Sequence, residues 1–320
     1  MCGIVGYVGH RAAAPLLLEG LQRLEYRGYD SSGVAILGQN GELTINKAVG
    51  KLSSLVSLLG DSPPQGRLGV GHTRWATHGK PTQANAHPHV DCRNQVVVTH
   101  NGIVENYLAL KKELIVRGHT FTSQTDTEVL PHLIEDYLNQ GFPLEEAVRQ
   151  ALRKIEGAHA LLVLSTAEPE KIVAARVGNA GGLVVGYGQG ESFVASDLPA
   201  ILPYTSKVAF LSSLEMATIS NLGVSYSNIS GSRLEKPIQE VPYDPVAAAK
   251  RGYKHFMLKE IMEQPEAVLD TFRGRVSFEP PDVYLENIPF SARELQKLSR
   301  VVIVACCTSR HAAMVGEFMI

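Results

Sequence analysis

The chain has 320 residues, 44% hydrophobic and 19% charged, with a formal net charge of −2. This balance predicts a soluble globular protein, of two domains or one large one. It excludes a nucleic-acid partner read from a basic stripe, and apolar runs such as Val301 to Cys307 are far too short to span a bilayer, so no membrane partner is expected.

In chain order, β-branched or alternating runs bounded by Gly, Asn or Asp predict strands over 3–8, 33–37, 67–72, 95–100, 160–164, 171–175, 182–185 and 208–211. Apolar periodicity predicts helices over 13–24, 104–117, 126–139 and 144–155, the third opened by the capping box Thr125-Asp126-Thr127-Glu128. Many strands with few helices fit an α+β layered sandwich better than regular βαβ alternation. Pro237, Pro242 and Pro245 mark an extended linker. Beyond it a helix is predicted over 253–272, one buried strand over 300–305, and a helix opened by Thr308-Ser309. A strand, a Thr/Ser turn and a helix form the opening of an α/β unit, too little to bury a core of its own. The expected organisation is therefore a first domain at 1–236, a linker at 237–252 and an incomplete second domain at 253–320.

The four cysteines, Cys2, Cys92, Cys306 and Cys307, form no C-x-x-C pair and no disulfide framework, and no basic-then-apolar leader precedes them. A reducing cytoplasmic compartment is the expectation. Cys2 is preceded only by Met1. Removal of Met1 would join a thiol and a free α-amine on one residue, with ordinary pKa values of about 8.5 and about 7.7–8.0, a nucleophile beside its own base.

Other candidates read two ways. His72-Thr73-Arg74-Trp75-Ala76-Thr77-His78-Gly79 holds the only tryptophan, and is a strand end with a packed indole or part of a site. Asn101-Gly102 is a tight turn, or a side-chain amide and a backbone N–H aimed at an oxyanion. Asp126 is a helix-start acid, or a carboxylate for a substrate ammonium; Asp30 could be a turn residue. His72, His78, His87, His89 and His100 raise a zinc site, but no H-E-x-x-H or cysteine pair accompanies them, so no metal and no cofactor is expected.

Taken together, Cys2-Gly3-Ile4-Val5-Gly6, Tyr26-Arg27-Gly28-Tyr29-Asp30-Ser31, the 72–79 block, Asn85-Ala86-His87-Pro88-His89, His100-Asn101-Gly102-Ile103, Thr125-Asp126-Thr127-Glu128, Ala195-Ser196-Asp197 and the run Tyr253 to Pro265 resemble the N-terminal nucleophile glutamine amidotransferases. Within them the chain resembles the glutamine–fructose-6-phosphate aminotransferases. The resemblance implies a four-layer αββα sandwich followed by a truncated sugar-isomerase fragment. It implies that Cys2 attacks the glutamine side-chain amide, with Asn101 and Gly102 as oxyanion hole. Arg74 would hold the α-carboxylate, Asp126 the α-ammonium, and Thr77 and His78 would line the pocket. Trp75 would gate the ammonia path and Arg27 would help close the site.

The implied partners are L-glutamine and fructose 6-phosphate through the missing isomerase half, with a homo-oligomer as one expected assembly. The alternatives are an inactive remnant that only binds, or an amidotransferase for another acceptor such as phosphoribosyl pyrophosphate. Two stretches depart from the family. Ala305-Cys306-Cys307-Thr308-Ser309 carries a cysteine where the family has a glycine, beside Thr308, which matches a sugar-phosphate contact. Arg176 to Leu183 replaces a shorter Gly-Ser-Pro-Leu.

Overall fold

Gly3–Val8 (β1) has every residue buried, because the strand runs through the middle of a sheet with neighbours on both sides. The computed structural model describes residues 2–38, 40–76 and 79–241, and beyond these a subset of residues between 253 and 319. It divides into two compact units, Met1–Phe256 and Met257–Ile320.

In the first unit the strands are β1, Ser31–Leu37 (β2), Leu43–Val49 (β3), Leu68–Arg74 (β4), His89–Val90 (β5), Val96–Gly102 (β6), His159–Ser165 (β7), Lys171–Val177 (β8), Val184–Tyr187 (β9), Ser192–Ala195 (β10), Lys207–Phe210 (β11), Glu215–Ser220 (β12), Gly223–Asn228 (β13), Arg233–Leu234 (β14) and Gln239–Glu240 (β15). Among the described residues they form an eight-stranded sheet, β15-β11-β9-β10-β1-β4-β2-β3, and a seven-stranded sheet, β14-β13-β12-β8-β7-β6-β5. Every pairing is antiparallel, as between Ile4 and His72 in β1 and β4 or Asn101 and Ala160 in β6 and β7. The helices are Ala13–Leu24 (α1), Leu52–Leu59 (α2), Tyr107–Val116 (α3), Val129–Asn139 (α4) and Leu144–Leu152 (α5).

The two-residue period of β1 divides its side chains between two cores. Ile4 and Val8 pack with Val97, Leu162 and Ala174 between the sheets. Val5 and Tyr7 pack instead with Leu17, Leu21 and Leu24 of α1 and Leu55 of α2. A third core joins Val98, Leu161 and Val163 to Leu114, Leu130, Ile134 and Val148 of α3, α4 and α5. Each fully buried Leu, Ile or Val contributes about 1.5–3 kcal/mol of transfer free energy. The result is a mixed α+β fold with two antiparallel sheets face to face and helices on their outer sides.

Several expectations need correction. The capping box does not form: the helix starts at Val129, three residues late, and has no side-chain cap. Thr125 Oγ1 is taken by His89 Nε2 at 3.1 Å, while Glu128 turns back to accept from the amides and hydroxyls of Thr122 and Ser123 at 2.6–2.9 Å. The predicted linker begins inside the sheet, since Gln239–Glu240 pairs with Val208 and Lys207 at an edge where flanking prolines are tolerated; residues 242–252 lie outside the described residues. The strand predicted over 182–185 is displaced to Val184–Tyr187 by the turn holding Gly178 and Gly181, both at positive φ.

In the second unit, the described positions from 257 to 268 are helical, as expected. Val276–Phe278 and Pro281–Val283 form an antiparallel pair, and short and longer helices cover Ala292–Leu295 and Cys307–Met319. The buried strand expected over 300–305 is not one: Val301 to Val304 are unpaired and 53–92% exposed. A β-branched run becomes a buried strand only when neighbouring strands pair with it.

Candidate active site

Cys2 stands at the head of β1, half-buried, and β1 is clamped on both edges. On one side Ile4 exchanges hydrogen bonds with Ser196, its N–H donating to Ser196 Oγ at 3.0 Å and its carbonyl accepting from the Ser196 N–H at 3.0 Å. On the other, Gly3 pairs with Thr73 of β4. β4 ends at Arg74, and the chain leaves it so that the Trp75 N–H donates to Cys2 Sγ at 3.1 Å. Two residues shape that exit. Asp30 Oδ2 accepts from the Ala76 N–H at 2.8 Å, so the residue read as a turn former pins the 74–76 segment. Gly28 lies against the same backbone, where a Cβ would come within 2.8 Å of Arg74 C and Trp75 N.

Asn101 arrives from the opposite sheet, near the end of β6. Its Nδ2 donates to the Cys2 carbonyl at 3.0 Å. Its Oδ1 lies 3.1 Å from His72 Nε2, which also lies 3.2 Å from the His100 carbonyl. Both of those atoms are acceptors, so His72 Nε2 carries the proton and fixes which way the Asn101 amide faces. Sequence reasoning carried His72 as part of the 72–79 block and as a candidate metal ligand; what it missed is a contact between two sheets, for which one strand's pattern carries no signal.

Gly102 follows at φ +134°, and a Cβ there would approach the Ala158 carbonyl oxygen to 2.1 Å. Gly102→Ala is therefore expected to destabilise the fold by at least about 2 kcal/mol, from the backbone conformation and the clash together. Urea unfolding measures this, and an unchanged midpoint would contradict the close approach.

Asp126 is buried, and its Oδ2 accepts from the Val104 N–H at 2.7 Å. Arg74 is buried as well, with Nη2 donating to the Gly79 carbonyl at 3.3 Å. Burial works against the Arg74 charge, while Cys2, Asp126 and Asp30 favour it. Burial also pushes the Cys2 thiol up; the Trp75 N–H and the cations of Arg74 and Arg27 pull the other way. Arg27 is held by Asp197 Oδ2 at 2.8 Å and the Ser196 carbonyl at 3.4 Å. Trp75 is 48% exposed, with Tyr29 edge-on at 5.7 Å. Cys2, Arg27, Arg74, Trp75, Asn101, Gly102 and Asp126 thus belong to one unit and, Gly102 apart, are joined by contacts or by charge. Thr77 and His78 lie outside the described residues. Thr308 is an exposed residue at the start of the helix Cys307–Met319, in the second unit.

Beneath Asn101 lies a layer of buried imidazoles. His72 stacks on His87 at 4.2 Å, His87 meets His89 edge-on at 4.6 Å, and His100 Nε2 lies 3.1 Å from His159 Nδ1. Thr127 Oγ1 sits 2.9 Å from His100 Nδ1 and 3.2 Å from His87 Nε2. The rings of His87 and His89 are engaged by threonine hydroxyls and do not converge on a metal position. Burial holds His72 and His159 down to about 4, and His87, His89 and His100 well below the usual range.

Residues 72–203, which hold Arg74, Asn101, Gly102 and Asp126, match the family described as "Glutamine amidotransferase domain". The chain therefore contains a glutamine amidotransferase domain. Over all 320 residues it is 50% identical to glutamine–fructose-6-phosphate aminotransferase [isomerizing] of Caldanaerobacter subterraneus subsp. tengcongensis, and over 321 residues 46% identical to that of Pyrococcus horikoshii. It is a homologue of the glutamine–fructose-6-phosphate aminotransferases, and it spans about half, 52%, of the length of these relatives. Among solved structures it is similar to a glutamine phosphoribosylpyrophosphate amidotransferase from B. subtilis, at a TM-score of 0.62 and 27% identity, over 71% of this chain and 49% of that one. Among the described residues no helix is long and apolar enough to cross a membrane.

Proposed function

We propose that residues 1–236 form a glutaminase domain that releases ammonia from L-glutamine. In the longer protein that ammonia is destined for fructose 6-phosphate, and residues 253–320 are the opening of the sugar-isomerase part. The observation that carries this reading is the meeting of Cys2 with Trp75 N–H on one side and Asn101 Nδ2 on the other. In chemical terms, Cys2 Sγ attacks the side-chain amide carbon of glutamine as its proton passes to the α-amine exposed by removal of Met1. The oxyanion that forms accepts from Asn101 Nδ2 and the Gly102 N–H. Collapse breaks the C–N bond, the proton leaves with ammonia, and a γ-glutamyl thioester remains. Water then cleaves the thioester to glutamate and restores the thiol. Because burial raises the thiol, it rests protonated and needs a base at the moment of attack.

Arg74, at the end of β4, and Asp126, in the bend before α4 where it accepts from the Val104 N–H, supply opposite charges for the two ends of an α-amino acid. Trp75 and Arg27 are read as the gate of the ammonia path and a closing residue, Thr77 and His78 as pocket lining, and Thr308 as a sugar-phosphate contact. Identities of 46–50% to the fructose-6-phosphate enzymes, against 27% to the phosphoribosyl pyrophosphate enzyme, favour the sugar acceptor. A cytoplasmic enzyme is the corresponding setting.

The test is glutamate release by the purified chain, supplied with glutamine and with two analogues, one N-acetylated and one amidated at the α-carboxylate. Loss of one charge-assisted contact is expected to cost about 1.5–3 kcal/mol, roughly a 10- to 150-fold drop in kcat/KM for each analogue. Equal turnover of all three would rule out these roles for Asp126 and Arg74.

A further inference from the structure

We propose that Cys92, His119, His132 and Glu135 form a tetrahedral site for a divalent transition-metal ion, with zinc the ion that best suits the donors. The four residues come from three separate elements. Cys92 lies in the turn between β5 and β6, His119 just after α3, and His132 and Glu135 one turn apart on α4. One ligand atom from each lies within 4.8 Å of all the others. Cys92 Sγ is 3.7 Å from His119 Nδ1 and 3.6 Å from His132 Nδ1. The two Nδ1 atoms are 3.2 Å apart, and Glu135 Oε2 is 3.2 Å from the first and 3.8 Å from the second. A tetrahedral zinc, with Zn–S of about 2.3 Å and Zn–N and Zn–O of about 2.0–2.1 Å, requires ligand separations of about 3.3–3.6 Å. The measured spread brackets that range.

Hydrogen-bond bookkeeping points the same way. His119 Nε2 lies 2.9 Å from Asp136 Oδ1, a pairing in which the nitrogen donates. A neutral His119 therefore turns the lone pair of Nδ1 inward, toward Glu135 Oε2 and His132 Nδ1. Glu135 Oε2 is buried and accepts no hydrogen bond, while Oε1 faces Arg93 at 3.7 Å. A cation at their centre would satisfy all four converging atoms at once. The Thr120 N–H donates to Cys92 Sγ at 3.3 Å, which fixes the sulfur's position in the cluster. The carboxylate behind His119 is the outer partner that metal-bound histidines commonly keep. With four protein donors the site is closed, which suits a structural ion rather than a catalytic one.

Its place in the chain gives it a task. The turn that carries Cys92 leads into β6, which ends in Asn101-Gly102, and the segment from His119 to His132 contains Asp126. An ion here would tie together the elements that deliver those residues.

The purified chain is loaded with Zn²⁺, exchanged into metal-free buffer and assayed for bound zinc, and its complex with Co²⁺ is recorded by absorption. We expect about one zinc per chain, a sulfur-to-cobalt charge-transfer band, and a zinc-dependent rise in the thermal midpoint. Cys92→Ser, at an exposed turn, is expected to lose the band and the rise while keeping the wild-type circular dichroism. Asp136→Asn leaves every ligand in place and is expected to weaken zinc binding about 10- to 100-fold. Zinc well below one per chain, or zinc retained equally by Cys92→Ser, would overturn the site. Binding is read without any activity, so its failure is separate from failure of the glutaminase reading.

Discussion

Cys2→Ala is expected to lower glutamate release by at least about 10³-fold, since removing a covalent nucleophile leaves only binding and oxyanion stabilisation. The half-buried thiol exchanges only weak hydrogen bonds with one residue, accepting from the Trp75 N–H at 3.1 Å and donating to the Trp75 carbonyl at 3.6 Å, so the variant should unfold within about 1–2 kcal/mol of wild type. Activity lost together with stability would instead mean a collapsed site. A preparation that retains Met1 should be equally silent, because its amine sits one residue away from the thiol; intact mass on the same sample separates the two causes. Alkylation provides a second readout. With the thiol held up by burial, Cys2 should react more slowly with iodoacetamide at pH 7 than exposed Cys306, and glutamine should slow it further. Full activity from Cys2→Ala would dispose of the mechanism.

The second large effect is acid lability of the histidine layer. His72, His87, His89, His100 and His159 all have folded values below the ordinary value of about 6.5, so the native state prefers them neutral. Stability is therefore fully present above about pH 6.5 and falls as the pH drops, by about 1.4 kcal/mol per unit for each histidine. For His72 and His159, folded values of about 4 set the window, from about 6.5 down to about 4. By pH 5 each would have removed roughly 2 kcal/mol, and a domain has only about 5–15 kcal/mol in all. Urea midpoints should fall steeply between pH 7 and pH 5. A flat profile would mean that these rings are hydrated or charged in the native state.

Much of the first unit was legible because its patterns are local. Ala13–Leu24 was predicted to the residue, since an amphipathic repeat on one element decides it. The cores of β1, β6, β7 and β8 were likewise found from short apolar runs. Leu43–Val49 was missed because its side chains are mostly half-buried and mix Thr, Asn and Lys with the apolar residues. The capping box failed because tertiary partners took its atoms: His89 claimed Thr125, and Glu128 served the Thr122–Ser123 loop. The site residues carried a signature only as assembled motifs. Asn101-Gly102 alone is as good a turn as an oxyanion hole, and nothing in 92, 119, 132 and 135 as a spacing announces that four donors meet. Val301 to Val304 show the converse, an apolar run whose fate depends on strands that must come from elsewhere.

The clamp on β1 also has a consequence for the order of events during synthesis. Ile4 is bonded to Ser196, 192 positions later. At about 5–20 residues per second a ribosome needs roughly 10–40 s to make that stretch. Through this interval one edge of the nucleophile's strand has no partner. The Ser196 clamp on the strand behind Cys2 can therefore close only after the rest of the first unit up to β10 has been made.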